Sequence, residues 1–307
     1  MANTNGTTNA DVIAMRALET LMARLPVLTQ ISTNFSNEQV RFNANVITHI
    51  VTAAQAVNFD PIVGYVPSSR TQVDVPVPMN RHVHHTYGVG VQEASSSQVD
   101  LIERYATTAA YSIGSAVVSA LMALVKIAAF PNATAIALGV NEDGFSRRSA
   151  IRIGKALGKR YVPPMGRFMV LNPDFYASLC LDNTMLAALL QTGSDSIQSG
   201  RLPNVHGFDV SEFVDMPDND EDLVGIAGTA DALCLATRIP DDPGQGSANC
   251  RISTVTEPKS GLSVQVREWY NSELGSFRRS YTLMFGVAVG QAASLQRITQ
   301  SDVEAYE

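Results

Sequence analysis

Three of the five histidines, His82, His84 and His85, stand together, and their type suits them best to metal chemistry. In an extended segment His82 and His84 share one face and could ligate a single ion. The nearest further donors are Asp74 and Glu93, and no cysteine is close, so the ligand set stays incomplete. The acidic run Asp215, Asp218, Asp220, Glu221 and Asp222 has the composition of a calcium loop, but Leu223 stands where an EF-hand needs its turn glycine. An exposed loop is the expectation.

Phosphate chemistry fares no better. The nearest P-loop fragment, Gly154-Lys155, is followed by Ala156 in place of the magnesium-binding hydroxyl, and Ser149 stands where the first glycine belongs. Gly88-Val89-Gly90 lacks the third glycine and the following helix of a dinucleotide site, and G-x-S-x-G is absent. Cys180, Cys234 and Cys250 are odd in number, widely spaced and without a C-x-x-C, which points away from a disulfide framework or a zinc site and toward a reducing cytoplasm. These residues imply no catalytic centre, no cofactor and no metal. What they offer is surface. Arg148, Arg152, Lys155 and Lys159 form a basic stripe suited to a phosphate or partner contact, to a solvated face, or to inter-subunit ion pairs. Val73, Val75, Val77, Tyr87, Val89 and Val91 form an apolar face suited to a subunit interface.

The elements that position these residues belong to a globular chain. Of its 307 residues 45% are hydrophobic and 7% aromatic, which excludes a disordered or collagenous protein and allows one large or two moderate folding units. Only 17% are charged, against roughly 25% in ordinary domains. Because charges are depleted in interface cores, such a surface is expected to be covered by other subunits or by lipid. A net charge of −7 disfavours a protein whose main task is gripping nucleic acid. The first thirty residues lack the basic start and apolar run of a secretory signal.

Along the chain, Val12, Met15, Leu18, Leu21 and Met22 predict an amphipathic helix closed by Pro26. An irregular stretch follows to Pro61, with Val46, Ile47, Ile50 and Val51 spaced for a helix face, so residues 1–60 read as an arm. Residues 64–93 switch to period two and predict an extended hairpin. Pro76 and Pro78 remove donors from one edge of it, and such a ribbon needs a foreign surface to lie on. Capped by Ser97, residues 98–128 predict a helix of about 45 Å. Its charge-free part, Tyr105 to Val125, is long enough for a membrane span, but Thr107, Thr108, Ser112, Ser115 and Ser119 favour a buried core helix. Gly114 within it implies a bend or a close contact. Further on, a basic helix from Ser146, a strand Arg167–Asn172, a short helix after Pro173, an alternating stretch at Phe208–Phe213 and a short apolar stretch Ala230–Ala236 are expected. Residues 240–249 read as a loop. Leu262, Val264 and Val266 alternate, Asn271 to Gly275 turn, and Tyr281 to Val289 return as an antiparallel partner.

This order of elements resembles the tailed-bacteriophage major capsid proteins, whose fold is named after the Hong Kong phage and is shared with encapsulin shells. The likeness runs from about Asp60 to Ile298. It is carried by the extended loop, the long helix, Pro164-x-Gly166-Arg167, the helix after Asn172-Pro173, Gly207-Phe208-Asp209-Val210, Ala230-Asp231-Ala232-Leu233, the two closing strands and Leu295-Gln296-Arg297-Ile298. It implies an α+β fold with an N-terminal arm (1–60), an extended β-hairpin loop (61–96), a peripheral domain with a long spine helix and long antiparallel strands (97–130 and 255–307), and an axial α/β domain (131–254). The resemblance further implies a non-enzymatic subunit that assembles as pentamers and hexamers into an icosahedral head around a tailed phage's double-stranded DNA. The implied partners are copies of itself, a separate scaffolding protein, a portal and decoration proteins, with DNA touched weakly on the inner face and no membrane. The implied location is the virion, after assembly in the host cytoplasm. The type member's cross-link uses a loop lysine, whereas the four lysines here are Lys126, Lys155, Lys159 and Lys259, so that chemistry is not expected. Two alternatives stay open: a cellular compartment shell of the same fold, and an enzyme of unrelated fold, which would need a pocket of convergent titratable groups.

Overall fold

Strands β10 (Ser263–Asn271) and β11 (Ser276–Val289) form the centre of the molecule. The Asn271 side-chain oxygen accepts from the backbone N–H groups of Glu273 and Leu274, which fixes the turn. The pair is antiparallel from Gln265↔Thr282 to Asn271↔Ser276, as the alternation of Leu262, Val264 and Val266 requires. β11 is long enough to take further partners: β4 (Arg81–Gly90) pairs with it over Ser276 to Phe285, and β8 (Leu233–Pro240) over Met284 to Val289. β9 (Cys250–Thr256) lines β10, and β1 (Ser32–Val40) runs parallel to β8, completing six strands. The computed structural model describes residues 5–25, 27–51, 58–59, 61–62, 64–65, 72–90, 92–93, 98–130, 144–182, 204–217, 219–241, 250–258 and 260–300. Val91, the Ser97 cap, Asp218, Lys259 and most of the loop at 240–249 lie outside the described residues.

One face of this sheet, with Tyr281, Leu283, Phe285 and Val287, is buried together with α1 (Asn5–Arg24), the short α2 (Val27–Gln30) and α3 (Gln98–Ala123). In α3 the residues Ala106, Ala110, Ile113, Val117 and Leu121 recur at helical spacing and are buried. Its stretch Arg104–Ala123 is apolar and long enough to cross a membrane, yet much of it packs inside this core. A Cβ on Gly114 would stand 2.6 Å from the Cδ1 atoms of both Leu21 and Leu25, so this glycine serves close helix packing. Gly114→Ala gains about 1 kcal/mol of helix propensity but over-packs the contact by about 1–3 kcal/mol. A net loss near 1 kcal/mol is expected from the urea midpoint, and a gain would show that α1 is loosely held.

The end of α3 explains the acidic run. Buried Asn219 donates its side-chain amide to the carbonyls of Met122 (2.7 Å) and Val125 (3.3 Å), Glu221 accepts from the Ile127 N–H at 3.0 Å, and Asp215 accepts from Ser115 Oγ at 2.7 Å. These groups bracket the helix terminus, whose last carbonyls need donors. Glu221 in turn pairs with Arg297.

A second lobe is a four-stranded sheet ordered β12 (Leu295–Thr299), β7 (Leu223–Thr229), β5 (Arg167–Leu171) and β6 (Phe208–Glu212), with β5 and β6 parallel. Helices α4 (Arg147–Lys159) and α5 (Pro173–Leu181) belong to the cluster around Met169, Phe208 and Leu171 on one face. Asn172 caps α5 by accepting from the Phe175 N–H at 3.0 Å. From the other face Phe168, Val170, Ile226 and Leu295 join the core of the first lobe. The chain crosses between the lobes at two 3₁₀ turns, Ala230–Ala232 and Ala292–Ser294, laid side by side by Gly290 N–H to Ala232 O (3.0 Å) and Gln291 N–H to Asp231 O (2.8 Å).

Two sequence expectations are corrected. The described residues within 1–60 are not a separate arm: Leu18, Leu21, Leu25, Leu28 and Ile31 are buried in the main core, and β1 belongs to the central sheet. Nor is 45–51 helical. It forms β2 (Asn45–Val51), which pairs antiparallel with β3 (Gln72–Pro78), so β3 does not form a hairpin with β4. A two-residue turn at Met79-Asn80 would place Pro78 and then Pro76 opposite β4 at the positions that must donate, and proline has no N–H. β3 therefore offers its intact edge to β2. The surface this ribbon needs is supplied by its own chain, since Val75, Val77 and Met79 are buried with Cys234, Ala236 and Met284.

Candidate assembly surface

The apolar set read from the sequence does not form one free face. Val75 and Val77 pack with Met284, whereas Tyr87 lies 6.2 Å from the Tyr281 ring and 5.5 Å from that of Tyr105. Met284 and Tyr281 point to opposite faces of β11, so the set is divided between two sides of the sheet. Val89 is buried, and Val73 alone of the described members is well exposed. The histidines are also divided, with His85 on the other side of β4 from His82 and His84. His82 and His84 are exposed on β4, His85 Nδ1 lies 3.0 Å from Ser112 Oγ, and Asp74 is engaged by His49 at 2.7 Å across β2 and β3. No group of three metal-ligating side chains comes together among the described residues.

A polar row that the sequence did not reveal crosses the central sheet. Tyr87, Arg279, Glu268 and Arg251 are successive cross-strand partners on β4, β11, β10 and β9. Arg279 pairs with Glu268, and Arg251 reaches Glu268 at 4.0 Å and Asp11 of α1 at 3.8 Å. Ser253 Oγ also donates to Asp11, at 3.1 Å. The row ties α1 to the sheet edge. Burial pushes the Tyr87 phenol above its usual 10.0, with Arg279 opposing, and burial also pushes Tyr281 up. An unfolded tyrosine ionises near pH 10 while the buried one resists, so their stabilisation is complete below pH 10 and is lost as pH rises toward the folded values. Urea midpoints should fall as pH rises above about 10, and Tyr87→Phe should flatten that fall. An unchanged slope would assign alkaline unfolding to other groups.

No family model matches this sequence, and no curated protein matches it. Solved structures do. The capsid structure of the cyanophage P-SCSP1u matches with a TM-score of 0.54 at 9% identity, covering 89% of this chain and 87% of that one. The chain has the phage capsid fold. The asymmetric unit of the bacteriophage PhiM1 mature capsid gives a TM-score of 0.53 at 8% identity, covering 89% of this chain and 86% of that one. At these identities the likeness concerns the fold, and it spans both lobes.

In this capsid fold the basic stripe is real as a surface. Arg148, Arg152, Lys155 and Lys159 are all exposed on α4, opposite buried Ala150, Ile153 and Leu157. Just beyond the helix stand two apolar side chains that sequence reasoning passed over, Tyr161 at 95% and Met165 at 85% exposure. The missing signal was local: the position after a helix end usually calls for glycine, and here it holds tyrosine. At the far end of the same sheet Leu181 and Val214 are exposed at 73% and 65%, beside exposed Glu212 and Asp215.

Proposed function

We propose that the chain is a structural shell protein, many copies of which form pentamers and hexamers of an icosahedral phage head enclosing double-stranded DNA. The observation that carries this reading is the agreement of both lobes, with the spine helix α3 beneath the central sheet, with phage capsid structures over 89% of the chain. In this reading the lobe around the six-stranded sheet is the peripheral domain and the lobe around the four-stranded sheet is the axial domain. The protein acts without catalysis, in the virion, after assembly in the host cytoplasm. A separate scaffolding protein, a portal and decoration proteins are its partners. Negative-stain microscopy of the chain expressed with its scaffold tests this directly: regular hollow shells are expected, and soluble monomers under every condition would refute it.

The net charge of −7 adds a second expectation. A container for packed DNA works best when its wall holds phosphate weakly, because each lysine or arginine contact adds to a salt-sensitive grip. The isolated subunit should bind duplex DNA only at low salt, measured by fluorescence anisotropy. Tight binding at physiological salt would make the α4 stripe a DNA contact.

A further inference from the structure

We infer that Tyr161 and Met165 form a preorganised knob, flanked by Lys155 and Lys159, that docks on the apolar and acidic end of the same lobe in a second copy, at Leu181, Glu212 and Val214. The inference rests on the shell reading and names the contact that would propagate it.

The first argument is backbone conformation. Helix α4 ends with Tyr161 N–H to Gly158 O (3.0 Å) and Val162 N–H to Leu157 O (3.1 Å), the paired bonds that require a left-handed residue between them. That residue is Tyr161, with φ of 63°. Glycine or asparagine adopts this conformation readily, whereas a bulky side chain does so at a cost. The two bonds hold the left-handed turn, but no packing in its own subunit accounts for tyrosine rather than glycine at that position, because the side chain is 95% exposed. A bulky residue kept where glycine would serve at lower cost marks a position held for a function.

The second argument is rigidity. Arg160 donates to the carbonyls of Ala293 (3.2 Å) and Leu295 (2.9 Å), and Arg167 donates to those of Pro163 (2.9 Å), Val162 (2.7 Å) and Gly154 (3.2 Å). Pro163 and Pro164 fix two further φ angles. The loop that presents Tyr161 and Met165 is thus anchored at both ends, so little ordering remains to oppose binding. Exposed tyrosine on such a platform is the composition of an interface hot spot.

The occupant follows from charge and placement. The knob lies before β5, whereas Val214 lies after β6, and these parallel five-residue strands separate the two patches by about 17 Å along the lobe. One patch is apolar and basic; at the other, Asp182, Glu212 and Asp215 outnumber Arg147 and Arg148, which the Arg147 N–H to Asp182 Oδ2 bond (2.8 Å) brings to the same end, so it is apolar and net acidic. Within one copy they cannot meet; between copies they match in chemistry and sign. A contact between different surfaces of identical subunits is head-to-tail, and with rotation it closes into rings.

The test uses two variants of the full chain. Tyr161→Asn with Met165→Ser removes the knob, and Leu181→Ser with Glu212→Lys and Val214→Ser removes the receiving surface. Sedimentation velocity and native mass spectrometry should show each variant alone as a monomer, with association weakened at least about tenfold. The knob variant should melt no lower than wild type, since asparagine relieves the backbone. An equimolar mixture should give dimers and nothing larger, each with one intact knob on one intact receiving surface. Wild-type assembly by either variant, or a mixture that stays monomeric, would overturn the contact. Shells from wild type together with shells from both variants would refute the contact and leave the shell reading standing. Rings without shells from wild type, lost in both variants, would do the reverse.

Discussion

Replacing residues 72–90 with a short Gly/Ser linker is expected to leave no folded subunit. The segment reads from its sequence as a ribbon for a neighbour, yet its two strands serve two separate tasks within their own chain. β4 closes one edge of β11 from Ser276↔Gly90 to Phe285↔Arg81, and β3 with β2 covers the opposite face around Met284. Val75, Val77, Met79 and Val89 are each buried. At about 2 kcal/mol per side chain their loss removes roughly 8 kcal/mol, comparable with the whole stability of an ordinary domain. The measurement is far-UV circular dichroism with a thermal melt on the soluble fraction. A monodisperse variant with a native spectrum and a cooperative melt would place the segment outside the core.

Gly286→Ala is a single substitution with a large expected cost. β3 crosses β11 there so closely that a Cβ would meet the Pro78 carbonyl oxygen at 2.3 Å and its carbon at 2.8 Å. Those are backbone atoms, which cannot rotate away as the leucine termini facing Gly114 can. A loss of about 3 kcal/mol is expected, at the upper end of over-packing effects. The control is Gly88→Ala on neighbouring β4, where the nearest atom is Arg278 Cγ at an ordinary 3.6 Å. Its urea midpoint should scarcely move. Equal effects at the two positions would mean that β3 does not lie against the sheet as described.

Legibility in the sequence tracked the range of the interactions. The β10 and β11 pair, α3, α4 and the capped start of α5 were readable because their signals are contiguous: alternation across a turn, helical spacing, an Asn-Pro start. The pairing of β2 with β3 was not, because the register His49↔Asp74 depends on which edges remain after proline has disabled one of them. Val46, Ile47, Ile50 and Val51 fit a helix face as well as a strand, and burial of Ile50 against the sheet decided for the strand. The row from Tyr87 to Asp11 joins residues from both ends of the chain, which no local pattern links. As for the candidate site, the exposed stripe on α4 could be read from its spacing. The exposure of Tyr161 could not, since nothing in a Tyr-Val-Pro-Pro string says that the tyrosine faces outward.

The two adjacent crossings at Ala230–Ala232 and Ala292–Ser294 also govern how the protein can be made. Because they carry the chain out of one lobe and into the other, the four-stranded sheet lacks its outer strand until Leu295–Thr299 has left the ribosome, while the central sheet waits for β11 to join an amino-terminal helix and strand synthesised long before. Contacts of such sequence separation make folding slow and late. A nascent or prematurely terminated chain therefore has neither lobe finished. Truncated products would be recognisable as unfolded to proteases.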